Sequence, residues 1–471
     1  MIDAGIKVLP DEDRDRIHQA ALDVLERTGV AVEEEALRTE LKRRGAREGQ
    51  KPEHVCLPRE LVTECLAAVD RAPVLRCVNG KTLTHGPEDR YYASLVTDPY
   101  IVDYREGIRR PRLDDIARHA RLGDALPLVD SIHLMDDTIP DLEPHTSELK
   151  GLEAFVANTT TAYHCAPGSL EGTRYWIEIA QIMAGGSLRD NPILAAYVPV
   201  VSPLMLTEFN IEQLRMFLAH GVLCQPGPCA IAGGTAPWPV AGLVVHSWAE
   251  FLAGMTAGQI IAPGSPSFGS GGGAHHMDMH SGESMYSGVS KALASAAMAE
   301  LSQGHDLPTM CGNFTTLCSN YGVQNGMESA LGGFATFFSR VNAFGGFGSL
   351  ANACGMSSAQ VVLHHELAEM MERFRRGIDL SEGRLGVESI VRAGPGGNFL
   401  TDPLTVRHLR SDEHFYAPSF EQCAGTQDEK TMAQRAQERA EDLMASHRPD
   451  VPVGRLEEVH QYVERELAQL A

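Results

Sequence analysis

Leu194-Ala195-Ala196-Tyr197-Val198-Pro199-Val200-Val201 is followed by Ser202-Pro203-Leu204, by a helical pattern from Thr207 to His220 that stops at Gly221, and by Val222-Leu223-Cys224. A short apolar run, a turn, a helix and a second apolar run make one strand–helix–strand unit, which predicts parallel strands with the helix packed across them. The same rhythm recurs from about residue 125 to 400. Further strand candidates are Ser131-Ile132-His133-Leu134, Thr161-Ala162-Tyr163-His164, Cys229-Ala230-Ile231-Ala232, Pro266-Ser267-Phe268-Gly269, Thr309-Met310-Cys311-Gly312 and Ala343-Phe344-Gly345, with a second clear helix from Glu283 to Gln303 ended by Gly304. Repeats of roughly 35 to 40 residues in such number favour a closed (β/α)8 TIM-type barrel of the α/β class, with an open doubly wound sheet as the alternative. No Gly-x-Gly-x-x-Gly opens a helix after an early strand, and no Gly-x-x-x-x-Gly-Lys-Ser/Thr occurs, which weighs against the open sheet.

Outward from that core, Ile17, Ala21, Val24 and Leu25 share one helix face that ends at Gly29, and Val74-Leu75-Arg76-Cys77-Val78 reads as a short strand. Tyr100 to Tyr104 reads as a strand and Leu113 to Leu122 as a helix. The tail carries two apolar stripes, Met432, Ala436, Ala440 and Leu443, then Leu456, Val459, Val463 and Leu467, separated by Pro449 and Pro452. The expected division is an N-terminal α+β extension over 1–95, the catalytic barrel over 96–425, and C-terminal helices over 426–471 that pack on the barrel or on a partner subunit.

The chain has 471 residues, is 43% hydrophobic and carries a formal charge of -22. That charge excludes a nucleic-acid surface, which needs clustered Lys and Arg. No run of about 18 uninterrupted apolar residues is present and the first residues lack the basic-then-apolar pattern of a signal peptide, so the expectation is a cytoplasmic protein without a membrane partner. The ten cysteines, at 56, 65, 77, 165, 224, 229, 311, 318, 354 and 423, fit no zinc-ribbon spacing and read as free thiols.

Chemistry in a barrel sits where strands end, so glycine-rich strand ends become candidates. These are Ser202-Pro203-Leu204, Gly233 to Trp238, Gly269 to Gly273, Gly312-Asn313-Phe314 and Gly345-Gly346-Phe347-Gly348. Gly394-Pro395-Gly396-Gly397-Asn398-Phe399-Leu400 is neither helix nor strand and reads as a shaped loop of the same rim. His276, Asp278 and His280 alternate and would share one side of an extended segment, as metal ligands or as ordinary loop residues. His364-His365-Glu366 lies on a helix, where Glu366 faces the mouth or pairs with an arginine. Trp238, Tyr321 and Phe347 offer aromatic faces for a cation, or packing under the loops.

These residues resemble the trimethylamine methyltransferase family of corrinoid-dependent enzymes. The matching stretches are Ala21 to Val30; Val102-Asp103 with Gly107, Arg110-Pro111 and Asp115; Ser202-Pro203-Leu204; Gly234-Thr235-Ala236-Pro237; Ala249-Glu250; Pro263-Gly264; Met277-Asp278-Met279 with Gly282; Gln324 with Glu328; and Gly394-Pro395-Gly396-Gly397 with Phe399-Leu400. The resemblance implies a (β/α)8 barrel in whose mouth a methylated amine meets the Co(I) corrinoid of a separate, cognate corrinoid protein, with no tightly bound cofactor and no metal. Founding members carry pyrrolysine, absent here, so the chain is similar to the branch acting on quaternary amines such as glycine betaine. The expected catalytic residues are Asp278, Glu366 and His364. Trp238, His280, Asn313, Phe314, Tyr321, Gln324 and Phe347 are the expected substrate contacts, and Gly346, Gly396, Gly397 and Asn398 the corrinoid-facing ones. A homo-oligomer is expected. Gly322, Gly345, His364 and Asn398 depart from the family pattern. Two other readings stand beside this one: a zinc-dependent methyltransferase or lyase built on His276, Asp278 and His280, and a non-catalytic binding protein for a cationic osmolyte.

Overall fold

Eight strands of one parallel sheet alternate with eight helices. The computed structural model describes residues 5–86, 88–134, 139–411, 413–421 and 430–470; Cys423 lies outside them. The strands are β1 (Tyr91–Leu95), β2 (Val129–Leu134), β3 (Ala162–Cys165), β4 (Leu194–Val200), β5 (Leu223–Pro228), β6 (Gly269–Ser270), β7 (Thr309–Gly312) and β8 (Ala343–Phe347). The helices that follow them are α1 (Leu113–Ala125), α2 (Pro144–Val156), α3 (Leu170–Ala184), α4 (Glu208–Ala219), α5 (Val240–Ile261), α6 (Val289–Gln303), α7 (Val323–Phe338) and α8 (Ser358–Arg376). The sheet order is β5-β4-β3-β2-β1-β8-β7-β6. A parallel bridge between Cys224 and Ser267, with Phe268 N donating to Cys224 O at 3.2 Å, joins the two ends and closes the cylinder.

The structure shifts several boundaries. β1 lies before the barrel start expected at residue 96, and all five of its residues are buried. Tyr100–Asp103 is a strand, but it pairs with Gly107–Arg109 and Gly355–Met356 in a side sheet. Ala230–Ala232 leaves the barrel to pair with Ala274–Met277, which in turn pairs with Ser284–Met285. That pairing occupies the segment after Glu283, so α6 begins only at Val289.

The base of the barrel is plugged. A hairpin of Leu75–Arg76 and Thr82–Leu83 sits under the strands, its Leu75, Cys77 and Leu83 packed with Tyr91, Ala162, Ala195, Leu223, Phe268, Met310 and Ala343. Burying each of the larger of these side chains contributes about 1.5–3 kcal/mol. The N-terminal extension is welded to the barrel wall: Val30–Val32 pairs in parallel with Met205–Leu206 just after β4, and the Glu300 carboxylate of α6 accepts from Val8 N and Leu9 N at 2.6 and 3.0 Å. The C-terminal helix Met432–Ser446 lies along α8 and α1. Helix α5 is long and apolar enough to cross a membrane by length and composition, although its sequence is interrupted by polar residues such as His246 and Glu250; it is largely buried in the fold, against the helices Asp11–Arg27 and Arg59–Ala68.

Candidate active site in the barrel lumen

Side chains two residues apart on a strand share a face. The plug layer faces inward, so the next inward layer, toward the mouth, contains Ala93, His164, Tyr197, Gln225, Gly312 and Gly345. His133 is paired in register with His164, and the two rings lie against each other, tilted by 31° with centroids 4.2 Å apart. A Cβ on Gly345 would lie only 3.2 Å from His133 Cε1, so the glycine opens the space that the imidazole fills. Gly227 does the same for Tyr197, whose ring occupies its Cβ position and whose hydroxyl donates to Gly227 O at 2.9 Å. Gln225 Nε2 donates to Met310 O at 3.3 Å.

His133 and His164 are 6% and 3% exposed, yet His133 Nε2 and both ring nitrogens of His164 have no hydrogen-bond partner. Each such group costs about 1–3 kcal/mol, and a fold retains it where a ligand supplies the partner. Burial pushes the His164 imidazolium down to about 4. Burial, then the neighbouring His164, pushes His133 well below its ordinary value. Both rings are therefore neutral near pH 7, and each keeps one N–H to donate.

A second unpartnered group stands beside this layer. Lys291, in the first turn of α6, is 3% exposed and has no hydrogen-bond or ion-pair partner among the described residues. Burial lowers the pKa of its amine; the Cys311 and Cys229 thiols are the groups that oppose this. A cation at a helix N-terminus is also disfavoured by the helix dipole, so this lysine is placed against two electrostatic costs. Cys311 Sγ donates to Gly271 O at 2.7 Å. His275 packs on the Tyr286 ring at 4.2 Å between centroids, and Tyr286 Oη lies 3.9 Å from Cys229 Sγ.

The rim is braced by carboxylates and amides from helices and from the loop after β8. Glu250 of α5, fully buried, accepts from Ser202 Oγ and from Leu204 N, both at 2.8 Å, and fixes the loop after β4. Glu328 of α7 accepts from Thr316 Oγ1 at 2.6 Å and Leu317 N at 2.8 Å, while Gln324 Nε2 donates to its other oxygen at 2.8 Å. Asn352 ties the β8 loop to the Ser284–Tyr286 segment, accepting from Tyr286 N at 2.9 Å and donating to Ser284 O at 2.8 Å. It lies in a run of three left-handed non-glycine residues, Ala351, Asn352 and Ala353, at φ 52, 58 and 58°. Such conformations cost about 1–2 kcal/mol each and persist where the surroundings impose them.

The side chains expected from the sequence do not converge on the lumen. Glu366 does not face the mouth: Ser419 N and Oγ and Arg439 Nη1 occupy its carboxylate at 3.1, 2.8 and 2.5 Å, which fastens the C-terminal helix to α8. His364 is a buried strut behind the β8 loop; its Nδ1 accepts from Gly348 N at 3.1 Å, its Nε2 lies 3.1 Å from Ser329 Oγ, and burial lowers it to about 3. Asp278 caps a surface turn, accepting from His280 N at 3.1 Å and Ser281 Oγ at 2.8 Å, hydrogen bonds that hold its carboxyl below the usual range. The chain turns at Gly282, whose N–H donates to Asp278 O, so His276, Asp278 and His280 share no extended face, and no group of three His, Cys, Asp or Glu side chains suited to a metal forms among the described residues.

Phe314 and Phe347 are core residues, packed edge to face at 4.8 Å between centroids. Asn313 is buried, its Nδ2 reaching Gly332 O at 3.4 Å. Tyr321 donates to or accepts from Ser357 Oγ at 2.6 Å and packs against Tyr104, and Gln324 is exposed beside Glu328. Trp238 is exposed and lies over Gly233 beside Met279, His280 is exposed, and Gly346 turns the β8 end at φ 94°. Gly396, Gly397 and Asn398 lie on an exposed arm that leaves the base of the barrel. At that base, Arg375 of α8 bonds Glu88 ahead of β1 at 3.0 Å, and Phe374 packs on Phe338 at the end of α7. Within one chain the arm therefore starts from the face opposite the mouth. The residues missed by the sequence reading, His133, His164, Tyr197, Gln225 and Lys291, had one signal: polar groups inside runs or helix faces otherwise fit for burial.

The trimethylamine methyltransferase (MTTB) family profile matches residues 2–471. The chain is 26% identical over 459 residues to a trimethylamine methyltransferase MttB of Desulfitobacterium hafniense strain DSM 10664 / DCB-2, covering 95% of this chain and 91% of that one. It is 25% identical over 455 residues to a glycine betaine methyltransferase of Desulfitobacterium hafniense strain Y51, covering 94% and 93%. The crystal structure of the Methanosarcina barkeri monomethylamine methyltransferase (MtmB) superposes with a TM-score of 0.53 at 12% identity, over 99% of this chain and 89% of that one, and shares the fold. On this match across its whole length, the chain belongs to the trimethylamine methyltransferase family.

Proposed function

We propose that this methyltransferase takes a methyl group from a betaine-type amine, one carrying both a quaternary nitrogen and a carboxylate, and delivers it to the corrinoid of a separate carrier protein. The observation that carries the reading is the donor-rich lumen: ring nitrogens of the buried His133 and His164 have no partner, Lys291 is buried nearby at the start of α6, and the inward layer holds no Asp or Glu among the described residues. A lone cation gains nothing from such a lining. A carboxylate does, because N–H donors and a buried ammonium stabilise it strongly at low dielectric.

The quaternary nitrogen needs no acid to leave. Its C–N bond breaks with the electron pair returning to nitrogen, giving a neutral tertiary amine. A reduced corrinoid supplies the electron pair that forms the new bond to the methyl carbon. The rim fits a large planar group approaching closely: Gly312 is exposed, a Cβ on Gly272 would meet nothing within 4 Å, and Gly345 and Gly346 follow on β8. The chain's own residues hold the carboxylate deep, orient the methyl outward and keep water away.

The test is a panel of glycine betaine, proline betaine, carnitine, choline and trimethylamine with a reduced corrinoid carrier, followed by the absorbance change of the methylated corrinoid. Carboxylated members are expected to react and choline and trimethylamine to fail. Equal rates with choline would refute the carboxylate. Thermal stabilisation by a betaine without any methyl transfer would favour a binding protein instead.

A further inference from the structure

Above the donor-rich layer, at the mouth, the rim holds a buried carboxylate and an aromatic ring. Asp98 ends the run Val96-Thr97-Asp98 that follows β1; all three residues are buried, Asp98 at 9% exposed. The chain on either side fixes its place. Val96 N donates to His133 O at 3.1 Å, which extends the β1–β2 ladder upward, and Tyr100 N donates to Cys354 O at 3.0 Å in the loop after β8. Asp98, between these two anchors, stands at the mouth above the His133 layer. A carboxylate buried there attracts a cation far more strongly than one in water.

Tyr286 reaches the same place from the other side. Its N–H donates to Asn352 Oδ1 at 2.9 Å in the β8 loop, and its hydroxyl lies 3.9 Å from Cys229 Sγ, just after β5. Anchored toward both, the half-buried Tyr286 spans the mouth over the lumen. Burial, then Cys229 and Tyr286, pushes up the hydroxyl of the inward Tyr197, so Tyr286 stands close to that layer as well. Cys354 connects the two rim groups. Burial, then the Asp98 and Glu283 carboxylates, pushes its thiol up, while burial, Cys229 and then Cys354 push up the Tyr286 hydroxyl.

We propose that Tyr286 and Asp98 hold the quaternary nitrogen of the substrate at the mouth, the ring by its face and the carboxylate by its charge, and so select a cationic methyl donor. This rests on the betaine assignment: with the substrate carboxylate deep among the His133, His164 and Lys291 donors, the quaternary end points up at these two groups. A quaternary nitrogen offers no N–H. It is recognised by an aromatic face and by negative charge at low dielectric, and not by hydrogen bonds.

Calorimetric titration of the full-length chain tests this without methyl transfer, using glycine betaine and tert-butylacetate, its isostere with carbon in place of the charged nitrogen. Wild type is expected to bind glycine betaine about tenfold more tightly than the isostere. Asp98→Asn and Tyr286→Leu should each weaken glycine betaine by about tenfold and leave tert-butylacetate within about twofold. Tyr286→Phe keeps the ring and should bind both ligands as the wild type does. Circular dichroism checks that each variant keeps its fold. Equal wild-type affinity for the two ligands overturns the proposal and leaves the carboxylate pocket standing. So does an Asp98→Asn or Tyr286→Leu variant that weakens both ligands alike, or neither. Choline bound by the wild type and lost in those two variants, with tert-butylacetate not bound at all, supports Asp98 and Tyr286 and refutes the carboxylate end instead. A wild type that binds none of the three ligands overturns both.

Discussion

Replacing His164 with leucine, a side chain of similar volume, should make the protein more stable and less useful. In the wild type both ring nitrogens are buried without a partner, a cost of about 1–3 kcal/mol that an apolar side chain does not incur. For 471 residues the unfolding entropy is about 1 kcal/mol/K, so at pH 7.5 the variant should melt about 1–3 °C higher. Acid widens the gap. His164 titrates near 4 in the folded chain and near 6.5 when unfolded, so the unfolded state takes up its proton first and wild-type stability falls as pH drops from 6.5 toward 4. At pH 5 that loss is about 2 kcal/mol for this group, and the variant lacks it. His133, the ring facing it, remains in both proteins. Calorimetry at pH 7.5 and pH 5 should show the difference in melting temperature grow by about 2 °C, while the specificity constant for the reacting amine falls at least tenfold. A variant that melts below the wild type at pH 7.5, or a gap that does not change with pH, would refute the claim that this imidazole is an unsatisfied, neutral group.

Lys291→Met should raise KM for a carboxylated amine at least tenfold and leave ligands without a carboxylate unaffected, while raising the melting temperature, because an unpaired buried ammonium is replaced by an isosteric apolar chain. Gly345→Ala puts a methyl group 3.2 Å from His133 Cε1, so ligand affinity measured by calorimetry should fall, with a stability loss of about 1 kcal/mol; unchanged affinity would show that the His133 position is immaterial. Glu366→Ala strands Arg439 and frees Ser419, which should cost about 3 kcal/mol in thermal unfolding with turnover per folded molecule retained; a wild-type melting curve with lost turnover would return Glu366 to the active site.

The barrel was readable because each βα unit repeats a short apolar run and a helix of period 3.6, and seven of the eight strands overlap such runs. Tyr91-Tyr92-Ala93-Ser94-Leu95 escaped because its mixture of aromatic, small and hydroxyl residues breaks up the apolar run that marks the other strands. The site was harder for a geometric reason. Asp278, His364 and Glu366 are polar residues in suggestive company, but whether a helix side chain points to the mouth, to the barrel wall or to another helix depends on the rotation of that helix about its axis. Here α8 turns Glu366 toward Arg439 of the C-terminal helix, 73 residues later in the chain and invisible to any local pattern. The strands carry less ambiguity. Once the plug residues Ala162 and Ala195 are known to face inward, His164 and Tyr197 must face inward too, two positions on. A histidine in the middle of a strand that is otherwise wholly buried is thus a stronger pointer to this lumen than a cluster of polar residues in a loop, because the strand fixes its direction and burial then demands a partner that the protein itself does not provide.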